Sequence, residues 1–168
     1  MHMREEGALL PVITELSACL CSELEAAGFA MCFCGLMPGG EVPLDFCGGD
    51  CDTEGCGGQG WVRVVSVFAT VDFPTAAENA RCGTGRAAVI EIGHAQCAPT
   101  PSDDGTPPSV QQQYNATFRQ MASMDAMWRT LACCFGADRE TGYVLGEYTP
   151  IPAGGGCLAA IWTITVEL

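Results

Sequence analysis

Residues 61–68 read WVRVVSVF. β-Branched and aromatic side chains fall on both faces of this run, with Arg63 and Ser66 as its polar interruptions, so it predicts a strand buried over most of its surface. Such a strand needs neighbours at its edges and cover on its faces. Outward from it, residues 86–93 (RAAVIEIG) read as a second extended segment and 143–148 as a third. Residues 157–168 (CLAAIWTITVEL) are apolar on both faces near their start, which places them inside a sheet. The connection 72–85 is polar, opens on Asp72-Phe73-Pro74 and has room for a short turn.

Two helices complete the pattern. Leu9, Ile13, Leu16, Leu20 and Leu24 recur at three- and four-residue steps, which predicts a helix over 7–27 with Glu5 and Glu6 near its positive end and Gly28 as its stop. Residues 29–36 read as extended, followed by a turn at Pro38-Gly39-Gly40. Ser109 with Gln112 three residues later forms a capping-box signature. After it, Tyr114, Phe118, Met121, Met124, Trp128, Leu131 and Phe135 trace one broad apolar stripe, ended by Gly136. The order helix, strands, helix, strands predicts a single α+β domain over 1–168, a mostly antiparallel sheet covered by two helices. Two loops interrupt it: a stretch rich in cysteine, glycine and acid at 39–60, and a Pro-rich one at 97–108. Both are long enough to reach neighbouring molecules.

A chain of 168 residues buries roughly 70% of its unfolded surface and needs neither metal nor disulfide to fold. Its net charge of −13 comes from 20 acids against 7 basic residues, all arginine. Such a balance argues against gripping phosphates, which takes clustered cations; it serves general solubility first and permits a wall past which a duplex slides. No apolar run approaches the ~20 residues of a membrane span, and no signal pattern opens the chain. The expectation is a soluble protein made in the cytoplasm, its twelve cysteines mostly reduced. On that basis Cys19, Cys21, Cys133 and Cys134 read as small apolar residues within helices.

Local motifs for chemistry are incomplete. Gly55, Gly57 and Gly60 match a dinucleotide fingerprint but precede a strand, whereas the fingerprint must open a helix. Asp50, Asp52, Glu54 and Gly55 imitate a calcium loop whose twelfth position, Trp61, cannot ligate. Cys34, Cys47, Cys51 and Cys56 are zinc candidates at C-x3-C and C-x4-C spacing, and reduced thiols or a disulfide remain open beside zinc. His94 has no marked partner in sequence and reads as structural. With no nucleophile–base pair or metal triad in the spacing, the chain reads as a non-enzyme without a cofactor.

Two stretches resemble a known group. They are CFCGLMPGGEVPLDFC at 32–47, followed by CGGQGWVRVVSVF at 56–68 with Phe73-Pro74, and YTPIPAGGGCLAAIWTITV at 148–166. Together, over about half of the chain, they look like the head-to-tail connector proteins called tail terminators in long-tailed phages of actinobacteria. The absence of lysine and the abundance of alanine and glycine fit a GC-rich genome. The resemblance implies a ring-forming virion subunit, a hexamer in the neck at the head–tail junction. Such a ring caps the tail tube protein, stops its polymerisation and docks the head-completion or stopper protein. It is assembled in the host cytoplasm, with no membrane, and DNA passes through its channel without specific binding. Asp45, Asp50, Asp52, Glu54, Asp103 and Asp104 are candidates to line that channel. The stopper ring itself, or a zinc- or disulfide-stabilised binding module unrelated to virions, are the competing readings.

Overall fold

The computed structural model describes residues 8–47, 55–139 and 142–168. Glu5, Glu6, Asp50, Cys51, Asp52 and Glu54 lie outside them. In chain order the elements are α1 (Leu9–Ala26), β1 (Phe33–Leu36), β2 (Gln59–Asp72), β3 (Thr75–Ala76) and β4 (Gly85–Cys97). Then come α2 (Val110–Arg129), which continues into a π-helical segment (Thr130–Phe135), β5 (Tyr143–Gly154) and β6 (Cys157–Glu167). One sheet is ordered β1-β2-β4-β6-β5, with β3 paired to β2. β1 runs parallel to β2 and the other pairings are antiparallel, so the sheet is mixed. The α+β architecture with two helices on one sheet is as expected.

β4 pairs along its length with β2 and β6 and is buried on both faces. Toward the helices, Ala88, Ile90 and Ile92 meet Leu16, Leu20 and Leu24 of α1 and Ala126, Met127, Leu131 and Phe135 beyond them. Each large aliphatic side chain buried there contributes on the order of 1.5–3 kcal/mol. The helix ends follow their local signals. Gly28 takes a left-handed φ of 89°, and Phe29 N–H bonds the Leu24 carbonyl at 3.1 Å. Ser109 and Gln112 form the reciprocal capping box.

The opposite face is covered at one end by the chain itself. Trp61 lies across Gly93, where any Cβ would overlap the indole. Its Nε1 donates to Glu91 Oε1 at 2.9 Å, Arg63 clasps the same carboxylate through Nε (2.8 Å) and Nη2 (2.7 Å), and Arg63 Nη1 reaches the Gly40 carbonyl at 2.9 Å. Met37, Val42 and Leu44 close over this cluster. Gln59 Nε2 holds the Pro43 carbonyl, and Gly58 N–H the Phe46 carbonyl. Met37 and, within the loop from 39, Val42 and Leu44 are thus spent on this molecule's own sheet, while Glu41, Pro43, Asp45 and Phe46 stay exposed.

Three further expectations change. In the 61–68 run only Trp61 and Val62 are fully buried, and Arg63 and Val64 are part-buried. Past a bulge between Val64 and Ser66, Val65 and Val67 are exposed. The polar connection 72–85 holds the short strand β3. The cysteines are not mostly reduced. Cys19 bonds Cys134, Cys21 bonds Cys34, Cys32 bonds Cys56 and Cys47 bonds Cys157. Cys97 is disulfide-bonded too, whereas Cys82 and Cys133 are free and exposed. Within α1 and the π segment, Cys19 and Cys134 face each other with Cα atoms 5.8 Å apart, a bonding separation that chain spacing conceals because 115 residues lie between them.

Two measurements check this description. Glu91→Ala strands the Arg63 guanidinium and frees the Trp61 indole N–H, so chemical denaturation is expected to show a loss of about 3 kcal/mol or more; a loss under about 1 kcal/mol would mean a solvated pair. Replacing Cys19 and Cys134 together by alanine opens a long loop and is expected to cost about 2–4 kcal/mol, a fall in Tm of roughly 5–15 °C under non-reducing conditions.

Candidate functional site

Of the acidic channel candidates, the described ones, Asp45, Asp103 and Asp104, fall at one end of the sheet. Asp45 is exposed on the loop that Cys47 ties to Cys157 at the start of β6. Asp103 and Asp104 are exposed in the connection after β4, which is bound to the same corner by Ala98 N–H donating to the Gly156 carbonyl at 2.7 Å. Asp104 has a local job. Its carboxylate accepts from the Ser102 hydroxyl and from Thr106 N–H at 2.9 Å, and these bonds hold its pKa down at about 2. Asp103 carries no such role.

The zinc candidates are not gathered. Cys34, Cys47 and Cys56 each belong to a different disulfide, with Cys21, Cys157 and Cys32. A sulfur bonded to sulfur offers no thiolate, and no cluster of three metal-ligating side chains occurs among the described residues. Cys51 lies outside them.

His94 has a partner that sequence did not reveal. Its Nδ1 lies 2.7 Å from Ser123 Oγ on α2, and Phe29 meets the imidazole edge-on at 4.5 Å between centroids. His94 is 2% and Ser123 3% exposed, so this serine–histidine pair is sealed from solvent. Burial, with the Arg119 charge second, drives the His94 pKa down to about 3, and the ring is neutral in the fold. Chain position conceals the pair, since 29 residues separate its members; the pairing exists because α2 runs back over β4.

The feature most unlike the expectation is α2. The single apolar stripe divides: Ala126, Met127, Leu131 and Phe135 face the core, while Tyr114 (57%), Phe118 (66%), Met121 and Trp128 are exposed. Tyr114 stacks on Phe118, and Trp128 packs on Trp162, which in turn meets Tyr148. At the far end of the sheet from the acidic loops, the paired ends of β2 and β4 with β3 form an arm over residues 65–86. Val67, Ala69 and Val71 alternate on its helix-side face, yet Val71 is 83% exposed, so the helices do not reach it. Among the described residues the ion pairs are Arg63–Glu91, Arg129–Glu23 and Arg139–Glu15. Arg81 and Arg86 on the arm belong to none of them.

No family model matches the chain, and no curated protein is similar to it. No helix among the described residues is long and apolar enough to cross a membrane.

The histidine makes a pH prediction with a definite sign. Its folded pKa of about 3 lies below the unfolded value of 6.5, so between those values the unfolded chain holds the extra proton. Its stabilising effect is therefore complete above pH 6.5 and drains away as pH falls toward 3. His94→Gln is expected to flatten the slope of Tm against pH in that window; an unchanged slope would show that other groups govern it.

Proposed function

We propose that this chain is a ring-forming structural subunit in the neck of a long-tailed phage, a tail terminator that caps the tail tube and joins it to the head. The observation that carries this reading is the unlike character of its two ends. One end bears Gly/Pro-rich loops with exposed acids, and the other a projecting arm with exposed valines. A tube grows by repeating one docking surface, and a subunit that matches it on one side only ends the series. The exposed aromatic face of α2 supports lateral assembly, because an apolar strip of this length on a monomer is unusual and marks an interface. Acids at one rim with no lysine anywhere support passage of a duplex that the wall does not hold. Partners on this reading are identical copies, the tube protein and the head-completion ring; Asp45 and Asp103 would face the channel.

A second reading is favoured by the disulfides, which suit a disulfide-stabilised binding module working outside a reducing cell. Particle imaging of the purified protein, alone and with tail-tube subunits, separates the two. Closed rings with a hole wide enough for duplex DNA, seated at one end of tubes, are the expected outcome. Monomers in both preparations would overturn the neck reading and favour the module.

A further inference from the structure

Three observations on the same molecule fit together. The arm 65–86 contains Asp72 and Glu78 against Arg81 and Arg86, so it is locally neutral and the whole net charge of −13 resides elsewhere. It presents Val65, Val67 and Val71 to solvent. The exposed face of α2 presents Tyr114, Phe118, Met121 and Trp128, with Asp125 between the last two at helical spacing. One surface offers valines with unpaired arginines, the other aromatics with an exposed carboxylate. Their lengths also agree: eight arm residues, 65–72, span about 26 Å as a strand, and the helical face from Tyr114 to Cys133 about 28 Å. Finally, of the described cysteines only Cys82, on the arm, and Cys133, about one turn beyond Trp128, are free, and both are exposed. Both being free in one chain, they do not meet within it.

We propose that the arm of one copy lies along the α2 face of a second copy, bringing Cys82 against Cys133 so that the contact can be sealed by an intermolecular disulfide. The proposal rests on the ring reading above and names the lateral contact of that ring. Arm and helix face are different surfaces, so the contact is heterologous: each copy gives an arm to one neighbour and receives one from the other. In the sealing step the two thiols lose two protons and two electrons to an oxidised small-molecule disulfide. The Sγ–Sγ bond forms between copies, and the oxidant leaves as two thiols.

The test uses the full chain treated with glutathione disulfide and run on non-reducing gels, with light scattering and particle imaging of the same samples. Wild type is expected to give a ladder of covalent multimers that collapses with reductant. C82S and C133S alone should each remain single chains. A mixture of the two should give covalent dimers and nothing larger, because each then supplies only one of the two thiols. Val71→Asp should cut the ladder severalfold with its circular dichroism unchanged, since that side chain is almost fully exposed in the single chain. Dimers from C133S alone would mean that Cys82 meets Cys82 and would overturn the proposal. Rings seen by imaging without any covalent ladder would overturn it while leaving the ring reading in place. Monomers by light scattering, with and without oxidant, would overturn the proposal, and the ring reading falls with it only if tail-tube subunits also fail to gather the chain into rings.

Discussion

A central strand that is apolar on both faces has to be covered twice, and the whole chain is arranged around covering β4. On one face α1 and α2 supply Leu16, Leu20, Leu24, Met127 and Leu131. On the other there is no helix. Cover comes from Trp61 laid flat on Gly93, from Ala159 and from the loop carrying Met37, Val42 and Leu44. Placing a carboxylate under that cover would be costly were it alone. Glu91 is tolerated because an indole N–H and a two-point guanidinium contact saturate its oxygens. The covering material then runs out before the sheet does. β2 and β4 continue past the helices and past the loop, and the valines of the arm are what remains uncovered.

How much of this was legible follows from the distance over which each feature is determined. Helix α1, its Gly28 stop and the Ser109 capping box are fixed by residues within four positions of one another, and all were readable. The strands were readable as strands, because β-branched alternation is local. Which half of 61–68 would be buried was not, because burial depends on where α1 ends above it. The division of the α2 stripe was hidden for a related reason. Tyr114, Phe118, Met121 and Trp128 share a helical face at the same spacing that core residues use, and only the partner surface decides which face turns inward. The disulfides and the His94–Ser123 contact join residues from 13 to 115 positions apart, and spacing says nothing about them.

The sulfur pattern has its own logic. A core built on Leu16, Ile90, Ile92 and Leu131 can form without bonds between cysteines, as expected of a chain this long. The bonds join elements of that core to one another and to the loop that covers it. They tie α1 to the π segment, α1 to the edge strand β1, the start of β1 to the approach to β2, and the covering loop to β6. Each bond therefore limits how far one of these elements can separate from its neighbour in a local opening.

On the proposed assembly, charge favours contact between copies at one kind of surface. A body with a net charge of −13 repels its copies wherever bare surfaces meet. The arm is the exception, since its two acids are matched by two arginines outside the described ion pairs and its valines lie open. Contact between copies is therefore least opposed where an arm is one of the partners. Because the receiving face is a different surface from the arm, the contact has a direction. A directed contact repeated at a fixed rotation generates either a closed ring or an open spiral. Closure satisfies every arm and every helix face together, whereas a spiral leaves one of each exposed to water at its ends.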